Sequence, residues 1–179
     1  MLLTHNELVK LVEAGVIENF VEGSINGASI DIHLGSKVLT ETSSNNIVNL
    51  AAKENLGMHE LEMRACHWLL HPGDFVLAHT LEIFHMPDDI AAEYKLKSSL
   101  ARNGLGHALA GWADPGWHNS TLTLELRNDL SRTALMLRPG MPIGQMVFWR
   151  GKAVPPHASY RNRGQYNNDR TVTPSKGVR

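Results

Sequence analysis

One cysteine, Cys66, stands among 179 residues. A disulfide within the chain is therefore excluded, and the usage fits a reducing compartment. Charge of one sign is also lacking: 17 basic residues against 18 acidic ones leave a net charge of −1. Such a chain has no broad field for a nucleic-acid polymer or a membrane surface, although a local basic patch can still hold a small polyanion. No apolar run approaches the roughly 18 residues of a membrane helix. The first residues lack the basic stretch and apolar core of a secretory signal. Cytoplasm is the expected location. Ten histidines are present, yet they lack metal-ligand spacing. His67 and His71 are followed by Pro72-Gly73, which ends any helix, and Cys66-His67 has no Cys-x-x-Cys partner.

What is present reads as one globular domain over residues 1–179, with 42% apolar residues and length enough for a core. Thr4-His5-Asn6-Glu7 is a capping box. Leu8, Leu11 and Val12 follow at helical spacing and Gly15 can end the run, which predicts one short helix at about 4–14. From Ser29 the pattern changes. Ile30, Ile32 and Leu34 alternate, as do Leu122, Leu124 and Leu126 and, in part, Ala134, Met136 and Arg138. Pro-Gly turns stand at 72–73, 115–116 and 139–140. Many short strands between such turns indicate a mainly β sandwich or barrel. Pro87-Asp88-Asp89 can start a helical turn, and Lys97 to Arg102 can form another. Residues 42–60 are polar and read as a long loop or hairpin. The stretch from Pro155 onward is polar, and its composition alone predicts disorder.

The chemistry concentrates between residues 97 and 126. Lys97, Ser98, Ser99 and Arg102 can grip phosphate oxygens through charge-assisted hydrogen bonds. Asp114 and Glu125 can accept protons or orient water. A phosphate grip beside carboxylates suggests chemistry on a nucleotide. Each residue also has a plainer reading. Glu125 shares a strand face with Thr123 and Arg127 and can be a solvated partner of Arg127. Asp114 is a common residue type at the start of a Pro-Gly turn. Trp112 and Trp117 can line a pocket or fill the core.

The order of the motifs resembles the dCTP deaminase branch of the dUTPase-like superfamily. The matching pieces are Ala28-Ser29-Ile30-Asp31, His71-Pro72-Gly73-Asp74-Phe75, Pro87-Asp88-Asp89, Ser98-Ser99-Leu100-Ala101-Arg102, Asp114-Pro115-Gly116-Trp117, Leu124-Glu125-Leu126 and Arg138-Pro139-Gly140. The resemblance implies a distorted jelly-roll-like β-barrel with one short N-terminal helix, assembled as a homotrimer with sites between subunits. It implies zinc-independent hydrolysis of dCTP to dUTP and ammonia. The alternatives are an enzyme that continues to dUMP, a plain diphosphatase using Asp114, or a non-catalytic nucleotide-binding trimer. The zinc deaminases instead carry His-x-Glu with Pro-Cys-x-x-Cys, which this chain lacks.

By the same resemblance Glu125 shuttles protons, Ser98 and Arg102 lie near the reacting base, and the Ala110 carbonyl helps to hold water. Asp114 holds the sugar 3′-hydroxyl or orients a hydrolytic water. The implied nucleotide-binding set runs through Lys97, Ser98, Ser99, Leu100, Ala101 and Arg102, then Ala108, Asp114, Thr123, Leu124 and Glu125. It ends in a lid at about 155–179 with Tyr160, Gln165, Tyr166 and Asp169. Mg²⁺ is expected to arrive with the triphosphate. Three departures stand out. Lys97 replaces the usual Arg and loses its planar fork. The usual Lys-Tyr-x-x-Gln of the tail reads Gln165-Tyr166-Asn167-Asn168-Asp169 here. The segment from Arg102 to His107 is one residue short, and that from Trp117 to Glu125 one residue long. An Asp at 169 accepts from a cytosine amine but cannot donate.

Overall fold

The computed structural model describes residues 1–42, 47–63 and 67–177. Cys66, on which the compartment expectation rests, lies outside them. Helix α1 (His5–Glu13) opens as expected, with the Thr4 N–H donating to Glu7 Oε2 at 2.7 Å. That bond satisfies one of the donors that a helix start leaves open. The carboxylate it reaches titrates below its ordinary value, chiefly through this bond. Gly15 then turns the chain out of the helix at φ 74°. Leu8 and Leu11 are its buried face.

The strands are β1 (Ile17–Glu18), β2 (Ile30–His33), β3 (Lys37–Glu41), β4 (Met58–Glu62), β5 (Trp68–Leu70), β6 (Phe75–His79) and β7 (Ile83–His85). They continue with β8 (Ile90–Leu96), β9 (Leu105–His107), β10 (Trp112–Ala113), β11 (His118–Ser120), β12 (Thr123–Asn128), β13 (Leu135–Leu137) and β14 (Pro142–Arg150). Short helices α2 (Ser98–Ala101) and α3 (Tyr160–Arg163) complete the elements that matter for the site. All pairings are antiparallel. One sheet has the order β10-β8-β14-β2, another β4-β3-β6-β12-β9, and two small sheets are β1-β7-β11 and β13-β5. The class is mainly β, as the turn-punctuated sequence predicts. Among the described residues no sheet closes on itself, so the closed barrel is not seen.

Both large sheets contribute to one buried cluster. Ile30, Ile32, Met146 and Phe148 come from one, and Val38, Val76, Leu124 and Leu126 from the other. The expected alternations at 30–34 and 122–126 thus point inward. The third has the opposite phase. Leu137 is buried, whereas Ala134, Met136 and Arg138 are exposed, because Leu135 and Leu137 carry the inward side of β13. The three Pro-Gly pairs form matching turns. His71 O accepts from Asp74 N–H, Asp114 O from Trp117 N–H, and Arg138 O from Met141 N–H, at 3.0–3.2 Å. The glycines sit at φ 84°, 87° and 77°, the positive φ that a type II turn requires. Pro87-Asp88-Asp89 makes a turn rather than a helix, closed by Ile90 N–H on Pro87 O. β3 and β4 pair antiparallel, in keeping with the hairpin reading of 42–60, of which residues 43–46 lie outside the described residues.

His79 shows how a polar ring is accommodated in the core. It packs where a side chain on Gly35 would overlap it. Lys37 N–H donates to Nε2 at 3.3 Å, and Nδ1–H donates to the Thr80 carbonyl at 2.9 Å. Both ring nitrogens are satisfied in the neutral form, and burial holds the imidazole below its ordinary value. The stability that neutral His79 contributes is complete above the ordinary histidine pKa of about 6.5 and is lost as pH falls toward the lowered folded value. His79→Gln does not titrate. Its melting temperature is expected to fall less than that of the wild type between about pH 7.5 and 5.5; equal falls by calorimetry would contradict this.

Candidate active site

Strand β12 carries two kinds of side chain on opposite faces. Leu124 and Leu126 are fully buried in the core. Thr123 and Glu125 face a cleft of about 410 Å³, within the roughly 300–1,000 Å³ of small-ligand pockets. Ala110, Trp112, Asp114 and Trp117 form a second wall. The tail supplies a third, with Tyr160, Tyr166, Asp169 and the segment Thr173-Pro174-Ser175. Glu125 does not pair with Arg127, which bonds Asp129 at 2.8 Å.

The partner of Glu125 is His107 on the neighbouring β9, whose Nε2 lies 3.3 Å from Glu125 Oε2. Leu109 N–H donates to His107 Nδ1 at 3.1 Å. That backbone donor assigns the ring proton to Nε2, which faces the carboxylate. The Tyr94 ring lies 4.7 Å from the His107 ring. Burial first, and the Glu125 charge second, push the Tyr94 phenol above its ordinary value, so it stays protonated. Tyr94 Oη, His107 Nε2 and Glu125 Oε2 are all buried without a well-aligned hydrogen bond. The inner oxygen of the carboxylate thus faces the His107 Nε2, with the Tyr94 ring against the imidazole, while the side chain keeps 23% exposure on the cleft side. Tyr94 fits there because Gly144 and Gly111 leave room against its ring and its Cβ.

Asp114 accepts from Trp112 Nε1–H at 3.1 Å, and the Arg163 guanidinium stands 4.0 Å from its other oxygen. Trp117 is buried, stacks on Phe84 at 5.5 Å and still reaches the cleft, so both sequence readings of it hold. Trp112 is 57% exposed.

The tail is packed rather than disordered. Trp117 Nε1–H donates to Tyr166 O at 2.7 Å, Thr121 N–H to Asp169 O at 2.8 Å, and Thr173 N–H to Thr123 Oγ1 at 3.2 Å. Val172 is buried. Arg170 reaches Glu18 Oε2 at 3.2 Å and Asn119 Oδ1 at 2.7 Å. The composition misleads because several polar groups of the tail bond to the edge at 117–123.

The residues expected to grip phosphate lie elsewhere. Lys97 caps α2, and its Nζ is bound to Asp31 Oδ2 at 2.6 Å. Ser98, Ser99, Ala101 and Arg102 are exposed, and none of them, nor Leu100 or Ala108, lines the cleft. Leu124 is fully buried in the core and is not part of the lining. Gln165 borders a smaller adjoining cleft with Asp114, Arg163 and Tyr166. The cleft lining carries three carboxylates, Asp114, Glu125 and Asp169, and no Lys or Arg. Among the described residues no three His, Cys, Asp or Glu side chains gather as a metal-ligand set, and no helix is long and apolar enough to cross a membrane. Sequence reasoning missed Leu77, Thr121 and the 173–175 segment as lining residues, and His107 as the neighbour of Glu125.

A family model described as dCTP deaminase-like matches residues 2–151. The chain belongs to that family and is an enzyme of the hydrolase class, which sets aside the non-catalytic reading. Among curated relatives, proteins named "dCTP deaminase, dUMP-forming" share 32% identity in Methanosphaerula palustris, over 98% of this chain and 95% of that one. The Rhodococcus jostii protein of the same name shares 36%, over 98% and 96%. The crystal structure of the 2′-deoxycytidine 5′-triphosphate deaminase from Agrobacterium tumefaciens superposes with a TM-score of 0.66 at 20% identity. It matches 86% of this chain, which spans about half of that one (49%). A mutant dUTPase from phage phi11 of S. aureus superposes at 0.50 and 12% identity, over 78% of this chain and 92% of that one. These two likenesses concern the fold.

Trp117→Phe keeps the ring stack and removes the donor to Tyr166 O. A neutral hydrogen bond contributes roughly 0.5–1.5 kcal/mol. Limited trypsin cleavage within 161–176 is therefore expected to speed up about 2- to 12-fold; an unchanged rate would show that the tail is held by its other bonds alone.

Proposed function

We propose that this protein deaminates dCTP hydrolytically, with Glu125 as the proton shuttle. The observation that carries the reading is that Glu125, in its Leu-Glu-Leu strand, lines one cleft with Asp114 and Tyr166. A pyrimidine ring with its 4-position toward Glu125 would meet a carboxylate whose other oxygen is backed by His107. Glu125 takes a proton from water and gives it to the ring nitrogen, where it stays, as the hydroxide adds to the ring carbon; it then carries the proton of the new hydroxyl to the amine, which leaves as ammonia while the carbonyl forms. The balance is dCTP and water to dUTP and ammonia. The Ala110 carbonyl, at the rim of the cleft, can hold the water.

The names of the relatives favour a second hydrolysis, of dUTP to dUMP and pyrophosphate, over release of dUTP as the end product. Asp114 fits that step, because it lines the same cleft and Trp112 orients its carboxylate. Its second water would be placed toward the phosphate adjoining the sugar.

A homotrimer with sites between subunits, as the resemblance implies, would account for the distribution of charge. The cleft has no cation in its lining, whereas Ser98, Ser99 and Arg102 are exposed elsewhere on the same chain. A neighbouring copy that presents its α2 to this cleft would complete the site. The triphosphate then enters as its Mg²⁺ complex, with the ion held mainly by phosphate oxygens, and Tyr160 and Tyr166 cover the sugar and base.

Three measurements test this reading. Glu125→Gln is expected to lower ammonia release from dCTP by about 10²–10⁴-fold or more while nucleotide binding persists; release within tenfold of wild type would refute the role. Product analysis with dCTP and Mg²⁺ should give ammonia with dUMP, whereas accumulation of dUTP would confine the enzyme to the first step. Mixing Arg102→Ala chains with Glu125→Gln chains should restore ammonia release through sites that take each residue from an intact copy. A fully active monomer by light scattering would exclude the shared site.

A further inference from the structure

Lys176 sits at the centre of the tail. Its ammonium donates to Asp169 Oδ2 at 2.7 Å, to Asp169 Oδ1 at 3.0 Å and to the backbone carbonyl of Gln165 at 2.8 Å. An ammonium has three hydrogens, and all three are used. It also stands 5.1 Å from the centre of the Tyr166 ring, and its backbone N–H donates to Tyr166 Oη at 3.0 Å. The positive charge that the family pattern carries at position 165 is thus supplied from position 176, at the carbonyl of residue 165. With no hydrogen left for a phosphate, Lys176 is a clamp. What it clamps is Asp169, whose side chain is 19% exposed and lines the cleft beside Thr121, Leu122 and Tyr166. The backbone of Asp169 is fixed independently, its carbonyl accepting from Thr121 N–H at 2.8 Å and its N–H donating to Ser120 Oγ at 3.2 Å.

A carboxylate gripped on both oxygens keeps lone pairs but offers no donor. The amide of a Gln at this place could turn either a donor or an acceptor toward a ligand. Asp169 can present only an acceptor, and Lys176 offsets the charge that would otherwise repel a polyanionic nucleotide. We propose that Lys176 is a positioning residue that sets Asp169 as the specificity-determining acceptor for the exocyclic amine of a 4-aminopyrimidine, against the 4-oxo ring of the deaminated product. The inference rests on the reading of this cleft as the nucleotide site. It gives the closed tail a second task, which is to distinguish substrate from product before chemistry begins.

The test is titration calorimetry of the full chain on the Glu125→Gln background, with dCTP and dUTP in Mg²⁺, so that nothing turns over. Asp169→Asn restores a donor and is expected to lower the ratio of dCTP to dUTP affinity about tenfold. Lys176→Met keeps the stem over Tyr166 and should lower the ratio in the same direction. Lys176→Arg, which can still bind both carboxylate oxygens, should retain it. An unchanged ratio in Asp169→Asn, or equal weakening of both nucleotides in Lys176→Met without rescue by Arg, would overturn the inference and leave the nucleotide cleft standing. Failure of the Glu125→Gln parent to bind either nucleotide, with its circular dichroism intact, would overturn the site reading and this inference together.

Discussion

Everything at this site depends on the two-residue period of β12. The strand lies between β6 and β9, with Leu124 opposite Ala78 and Leu126 opposite His107. Its leucines fill the core, so Thr123 and Glu125 have no choice but to face the cleft. A slip of one residue would bury a carboxylate among apolar side chains and expose two leucines. The free energy of packing the core therefore also fixes the direction of the Glu125 carboxylate. The same pairing brings His107 to the back of Glu125, so one sheet register sets both the carboxylate and its neighbour.

The other walls are attached to this strand rather than built separately. The Asp114-Pro115-Gly116-Trp117 turn returns the chain so that Trp117 reaches both Phe84 in the core and the carbonyl of Tyr166 in the tail. Gly116 is needed there for more than its φ. A side chain at this position would meet Ser159 Oγ and Asp88 Oδ1, two atoms already joined by a 2.6 Å hydrogen bond at the start of the tail. The tail then follows the edge at 117–123, where several of its backbone groups find partners.

Much of this was legible in the sequence where local rules govern. The capping box at Thr4, the Pro-Gly turns and the alternation at 122–126 are decided within a few residues, and they appear as read. The Lys97–Arg102 turn is likewise local. The phase of 134–138 was not legible, because two interleaved alternations of similar apolarity are separated only by what packs against them. The order of the tail depends on an edge some 50 residues earlier in the chain, as the Thr121–Asp169 bond illustrates. Motif order pointed to Glu125, Asp114, Tyr166 and Asp169, and the fold brings them to one cleft. His107 and Lys176 carry no local signal. Their roles come from a cross-strand neighbour and from an eleven-residue return of the chain. The separation of α2 from the cleft could not be read from order alone, since adjacency in sequence does not fix adjacency in the fold.

The tail is fastened largely through its main chain. Trp117 holds the carbonyl of Tyr166 and Thr121 the carbonyl of Asp169, while the side chains of both residues remain in the wall of the cleft. Attachment and reading are thus assigned to different atoms of the same residues. A substitution at 166 or 169 changes the wall and releases the contacts of Lys176, yet it leaves the main-chain bonds to Trp117 and Thr121 in place. The wall can therefore change its surface by single exchanges of side chain while its main-chain seam is inherited.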